Sequence, residues 1–186
     1  IIFVERDITE RKLAEEEIKR NAGLISSLLD SIPDIIFFKD KNGRYLGGNP
    51  AFEEFSGLSK KEIIGITDYD IFDKEKADTF IIQDKEIMAS GKPVQNDLWI
   101  TYKNGRKILV DTLKTPYLGP DGSLIGILGI SRDITERKLA EETLQNERTL
   151  FRTIIDLIPD AVYVKDIEGK KILANPKEVE LLGLES

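Results

Sequence analysis

The sequence predicts an α+β fold: a five-stranded antiparallel sheet with short helices on one face, flanked by amphipathic helices. Three observations carry this. Apolar runs are joined by the turn signals Asn-Gly, Asn-Gly and Pro-Asp-Gly, each suited to a tight hairpin. Helix start and stop residues cluster between the second and third of those runs. Charged segments with apolar positions at heptad spacing stand before and after the whole pattern.

The first helix is read at 10–27, with Ala14, Ile18, Ile25, Leu28 and Ile32 continuing the heptad and Asn21 at a core-type position. The segment 136–153 repeats it through Ala140, Leu144, Phe151, Ile154 and Ile158, with Glu147 in the place of Asn21. Both a helix packed on its own domain and a parallel dimer seam satisfy this spacing. From Ile35, "IIFFKDKNGRYLGGN" reads as two strands around an Asn-Gly turn. Asn49 followed by Pro50 opens a short helix through Phe55 that Gly57 ends. Ser59 and Glu62 form a capping box for "KKEII". Asp73 caps a helix over Lys74 to Ser90, with Ala77, Phe80, Ile81, Asp84, Ile87 and Met88 on its core side, and Gly91 and Pro93 stop it. "YKNGRKILVDTL" and "YLGPDGSLIGILG" supply the remaining hairpins, which brings the strand count to five.

The ten residues "DITERKLAEE" occur at 7–16 and again at 133–142, an interval of 133 − 7 = 126. The same interval carries 28–59 onto 154–185 without a gap: Asp30 falls on Asp156, Pro33 on Pro159, Lys39 on Lys165 and Asn49-Pro50 on Asn175-Pro176. Such a period exceeds the roughly 20–50 residues of solenoid repeats and fits a whole small domain. The chain therefore reads as a window on a tandem array. "IIFVERD" has no signal-peptide pattern and does not begin with Met, so the start is expected to be an internal boundary of a longer protein.

Composition excludes several function classes. The 186 residues contain neither histidine nor cysteine, which removes disulfides, thiolate nucleophiles, imidazole bases, the usual zinc sites, histidine-ligated haem and a flavin–cysteine adduct. A net charge of −7 gives no strong pull toward nucleic acid or anionic membrane. The longest apolar run, "SLIGILGI", is far short of the ~20 residues that span a bilayer. Neither GxGxxG nor GxxxxGK[ST] occurs. Asp68 and Asp70 in "TDYDIF" are close enough to suggest paired carboxylates, but their place before a capped helix reads better as turn and cap groups. "DKNG" lacks the ligand spacing of a calcium loop. No catalytic or metal-binding residues are expected.

The order of these pieces over 24–142, carried by "LLDSIPDIIFFKDKNGRYLGGNPAFEEFSGLSKKEIIG", "TDYDIFDKEKADTFIIQDKEIMASGKPV" and "GISRDITERKLAEE", resembles the PAS fold of sensory proteins. The resemblance implies a complete PAS domain at 28–135. It makes 1–9 the last strand and closing motif of a preceding copy, 10–27 and 136–153 linker helices, and 154–186 the first part of a following, truncated copy. In PAS sheets the last strand lies beside the first, so the orphan strand at 1–6 is expected to pair with the one at 161–166, between chains.

The expected pocket lies between the sheet's inner face and the helical middle. Phe37, Asn49, Phe52, Phe55, Phe80, Met88, Trp99, Thr112, Lys114 and Ile127 are its candidate liners, and Asn49, Thr112 or Lys114 would hold a polar ligand group. Strand alternation leaves the inward face open, and a filled core would use many of the same residues. Arg132, Asp133, Thr135 and Arg137 form the expected signal junction. Asp133 or Thr135 would cap the outgoing helix, and Arg132 or Arg137 would pair with Asp133. The resemblance further implies the input region of a cytoplasmic sensor histidine kinase of two-component phosphorelay type, from a bacterium or archaeon. Catalysis would lie outside this segment.

Expected partners are a second copy, met through the linker helices and the PAS surface, and neighbouring PAS or kinase domains. No nucleic acid and no membrane contact are expected. No resident cofactor is expected, while an unidentified small molecule or a non-covalent flavin remains compatible. The alternatives are a ligand-free dimerisation or spacer module, and the input region of a cyclic-dinucleotide synthase or transcriptional regulator.

Overall fold

The structure, a computed structural model, describes residues 9–183. These fall into two compact units that divide between Ile134 and Thr135. The first opens with helix α1 (Thr9–Ser31) and strands β1 (Ile35–Asp40) and β2 (Tyr45–Gly48). Four helices follow, α2 (Pro50–Ser56), α3 (Lys60–Ile63), α4 (Asp68–Ile71) and α5 (Lys74–Ser90), and then strands β3 (Val94–Thr101), β4 (Lys107–Leu118) and β5 (Leu124–Asp133). The sheet is antiparallel in the order β2-β1-β5-β4-β3, which places the first and last strands side by side. Five strands split two and three around a helical middle is the predicted arrangement.

Local chemistry explains where the helices start and stop. The Asn49 side chain accepts the N–H of Phe52 with Pro50 in the first turn of α2, and Asp73 accepts the N–H of Lys76 at the start of α5. Glu62 accepts from Ser59 and Asp70 from Thr67, two capping boxes that open α3 and α4. These bonds to hydroxyl and backbone donors hold the carboxyls of Glu62, Asp70 and Asp73 below their ordinary values. Gly57 and Gly91 take the left-handed conformation that closes α2 and α5.

Alternation along the strands decides what faces the helices. Ile35, Phe37 and Lys39 on β1, and Ile108, Val110, Thr112 and Lys114 on β4, are all buried. Helix α5 covers β4 and β5 with Ala77, Asp84 and Ile87 on its buried stripe, and α2 packs on β1 through Phe52 and Phe55.

The second unit contains α6 (Thr135–Leu157), the hairpin β6 (Tyr163–Lys165) and β7 (Lys171–Ala174), and α7 (Pro176–Leu181). Among the described residues β6 pairs with β7 alone. Both long helices outrun the expected limits of 27 and 153, ending at Ser31 and Leu157. Nothing in either sequence breaks the helix until Pro33 or Pro159, which disfavours helical geometry at the residue before it. The pairing expected for residues 1–6 lies outside the described residues. No described helix is long and apolar enough to cross a membrane.

Candidate ligand cavity and helix joint

Lys39 occupies an inward position on β1, beside the Phe37 and Tyr45 rings and 1% exposed. Its Nζ lies 2.7 and 2.6 Å from the two oxygens of Asp68 and 2.8 Å from Asp84 Oδ2, so its three donors have three acceptors. The other Asp84 oxygen accepts from Lys114 Nζ at 2.6 Å, and Asp68 Oδ1 also accepts from the Tyr45 hydroxyl at 2.7 Å. Lys39, Asp68, Asp84 and Lys114 are each at most 4% exposed. Two ammonium groups and two carboxylates thus form a neutral cluster inside the fold, a balance that burial demands.

Burial, reinforced by Asp68, pushes the Tyr45 phenol well above its ordinary value. Burial also lowers Lys114, against the opposing pull of Asp84, and the charge of Lys39 adds to the lowering.

Beside the cluster lies a cavity of about 40 Å³. Aromatic rings form much of its wall: Phe52 stacks on Tyr45 at 5.1 Å between centroids, and Phe72 meets Phe80 edge to face at 5.0 Å. Thr112 Oγ1 and Ser131 Oγ are 2.8 Å apart at its sheet side. Phe37 reaches the wall because Gly129 has no side chain; a Cβ there would stand 2.1 Å from the ring.

Of the ten expected liners, Phe37, Phe52, Phe55, Phe80, Thr112 and Lys114 line this cavity. The other four do not. Trp99 sits between the inward residues Leu98 and Ile100, so its indole faces out, 48% exposed, under the Lys107 ammonium. Met88 lies with Lys41 and Asn42 at a separate depression. Ile127 is plain core, and Asn49 is engaged elsewhere. Missed entirely were Lys39, Tyr45, Asp68 and Ser131. Asp68 had been read as a turn group, whereas its carboxylate points into the fold from the first turn of α4. A legible signal did exist: Lys39 follows Ile35 and Phe37 at strand spacing, so a buried partner of opposite charge was required.

Asn49 forms a joint. Its Oδ1 accepts the N–H groups of Ile36 and Phe52, while Nδ2 faces the carbonyls of Leu29, Ile32 and Asp34 at 3.3, 3.0 and 2.8 Å. One amide thus ties the end of α1 to β1 and α2. Next to it, Arg132 donates through Nε and Nη2 to Asp34 Oδ2 at 3.1 and 3.0 Å, linking the end of β5 to the segment after α1. Asn175 repeats the joint in the second unit, accepting from Val162 and Glu178 and donating to the carbonyls of Ile155, Ile158 and Asp160. All five partners keep the 126-residue interval.

The junction arginines were expected at Asp133, and their ion pairs run to Asp34 and Glu141. Arg132 reaches Asp34 because its side chain leaves β5 on the side where the α1–β1 connection passes, and Arg137 meets Glu141 one turn along α6. Asp133 ends β5 and Thr135 begins α6.

Residues 29–139 match the family described as PAS fold. The aerobic respiration control sensor protein ArcB of Escherichia coli (strain K12) is 29% identical over 140 residues, 75% of this chain and 18% of ArcB. The methanogenesis regulatory histidine kinase FilI of Methanothrix harundinacea (strain 6Ac) is 31% identical over 125 residues, 67% of this chain and 14% of FilI. The chain thus spans less than a fifth of the length of these relatives. Among solved structures, the PAS domain from Bordetella pertussis BvgS superposes with a TM-score of 0.54 at 27% identity, covering 70% of this chain and 98% of that domain.

Proposed function

The chain belongs to the PAS fold family, and from that premise we propose that this sensory domain serves a larger protein of the sensor histidine kinase type. It relays the state of its cavity, or of a partner packed on it, through the end of β5 into α6. The observation that carries this reading is the order of residues on one strand. Ser131 lines the cavity, Arg132 ties the strand to the segment after α1, and Asp133 closes the strand just before the outgoing helix. A change of packing at the cavity therefore reaches both helix connections within two residues. The likeness to ArcB and FilI supports the kinase setting, and a cytoplasmic place for this region is part of the same proposal. With no histidine in the chain, the phosphoacceptor and the ATP-binding domain belong to other parts of that protein.

Arg132→Gln, Asp34→Asn and Asp133→Ala, each made in the parent protein, test the relay. Output should stop following input while the isolated segment keeps its melting temperature within a few degrees. A normal response in all three would overturn the relay. A second reading, a ligand-free spacer and dimer module, is supported by the small cavity and by exposed apolar positions such as Ile18, Ile25, Phe151 and Ile154. Under it, sedimentation would find a concentration-dependent dimer, and none of the three substitutions would alter signalling.

A further inference from the structure

The cavity shares a wall with a groove that opens to solvent. The groove, about 510 Å³, runs between the start of α5 and the edge strand β3. Four residues line both spaces: Phe80 and Gln83 from α5, and Asn96 and Leu98 from β3. The side-chain amides of Gln83 and Asn96 have no hydrogen-bond partner among the described residues. A wall of two rotatable apolar side chains and two uncommitted amides costs little to part, because neither the sheet ladder nor the charge cluster passes through it.

Behind that wall stands Lys114. An ammonium has three N–H donors, and among the described residues one of these has an acceptor, Asp84 Oδ1; the Phe80 ring also stands over Nζ, 4.8 Å to its centroid. Lys39, in contrast, uses all three donors on carboxylate oxygens. Asp84 is shared between both lysines while Asp68 serves Lys39 and Tyr45, so within the neutral cluster Lys114 makes fewer carboxylate contacts than Lys39. The side chain of Lys114 is 5% exposed, so its remaining donors face the cavity and not bulk solvent. The adjoining Thr112–Ser131 pair leaves one further hydroxyl hydrogen for an acceptor.

We propose that the cavity is the inner end of a binding site for a small organic monocarboxylate, entered through the α5–β3 groove. The carboxylate head accepts from Lys114 Nζ and from the Thr112–Ser131 pair. A cavity of about 40 Å³ holds that head alone, so the aliphatic or aromatic body lies between Phe80 and Leu98 and extends into the groove. The two N–H donors that Lys114 does not spend on Asp84 select an acceptor, charge assistance favours a carboxylate over a neutral oxygen, and the aromatic wall selects an apolar body.

Benzoate is the probe, with benzamide and toluene as neutral comparators, titrated into the isotope-labelled chain and followed by the backbone amides of Asn96, Leu98, Thr112 and Ser131. Benzoate should move those amides and bind at least about tenfold more tightly than benzamide or toluene, the scale of one charge-assisted contact. Lys114→Met should erase that preference. Because Lys114→Met also leaves Asp84 without one of its cations, Leu98→Trp serves as a second variant: it fills the shared wall without touching the cluster and should weaken benzoate about tenfold while the fold persists. Equal affinity for the three probes, benzoate binding that survives both variants, or no shift at these amides would overturn the proposal. The inference rests on the sensory reading but fails separately from it. Probe binding does not involve Arg132, Asp34 or Asp133, and the relay substitutions leave the cavity lining intact apart from their effect on signalling.

Discussion

Residues 29–52 and 155–178 hold the same joint around different interiors. Asn49 and Asn175 make five equivalent hydrogen bonds each, at matching distances, and Asp40 and Asp166 each accept two backbone N–H groups in the hairpin turns that follow. The contents differ. Tyr45 stacks on Phe52 in the first unit, whereas the residues 126 positions later, Lys171 and Glu178, form an ion pair. Lys39 is buried among carboxylates while Lys165 is exposed over the Tyr163 ring. The joint needs only a helix end, a hairpin and one amide, so it forms wherever those occur. The charged interior needs β4, β5, α4 and α5 around it, because an ammonium leaves water only when carboxylates from elsewhere in the fold meet it.

The largest contrast should come from the paired lysines. Lys39→Met strands Asp68 and half of Asp84, and urea unfolding should show a loss of about 3–5 kcal/mol. Lys165→Met, the same change one repeat on, should stay within about 0.5 kcal/mol. Similar losses at both would mean that the second interior is organised like the first.

Asn49→Ala comes next. It removes the side-chain partner of the Ile36 N–H and of the Ile32 and Asp34 carbonyls, while the Phe52 N–H keeps the Asn49 carbonyl and the Leu29 carbonyl keeps the Ile32 N–H, and a loss of about 3 kcal/mol is expected by the same assay. Asn175→Ala should leave the unfolding of the first unit unchanged and instead remove hydrogen-exchange protection at Val162, whereas the Glu178 N–H keeps the main-chain carbonyl of residue 175. Loss of protection at Ile36 in that second variant would break the independence of the two joints.

Tyr45→Phe should produce the smallest effect, about 1.5 kcal/mol at neutral pH from one hydrogen bond to a charged group, and a change in alkaline behaviour. With its phenol held above the ordinary 10.0, the folded chain keeps a proton that the unfolded chain releases. That contribution is fully present below pH 10.0 and is lost as pH rises through the folded value. Lys114, lowered from 10.5, acts in the opposite sense: the unfolded chain holds the extra proton, so folding gains as pH rises toward 10.5. Removing the phenol leaves only the lysine contribution, and the variant should lose less stability than the parent between pH 10 and about pH 11. Parallel curves would show that Tyr45 titrates normally in the folded chain.

Much of this architecture was legible because its signals are short-range. Asn49-Pro50, Ser59 with Glu62, Asp73 and Gly91 act within three or four residues of themselves, and all open or close helices as read. The strand order followed from three turns and a family resemblance. The interior was harder to read, since burial of Lys39 depends on Asp68 and Asp84, 29 and 45 positions away. Alternation alone does not say whether Leu98 or Trp99 faces the helices, and the larger aromatic was the wrong choice. Asp68 was misread for the same reason: a carboxylate in a first helical turn has a local explanation ready, and the lysine that claims it is remote.

One property of the Asn49 joint concerns leverage. Because the amide holds the Leu29 carbonyl in the last turn of α1 and the Ile32 carbonyl just past it, unwinding that end to absorb a displacement of the sheet breaks these bonds, and the helix follows as a rod. A helix of 23 residues is about 35 Å long, so a tilt of about 5° at its pinned end sweeps the other end through about 3 Å. An adjustment of the size of a side-chain rotamer change in the sheet thus arrives, one helix length away, as a displacement comparable to a full residue step along a strand.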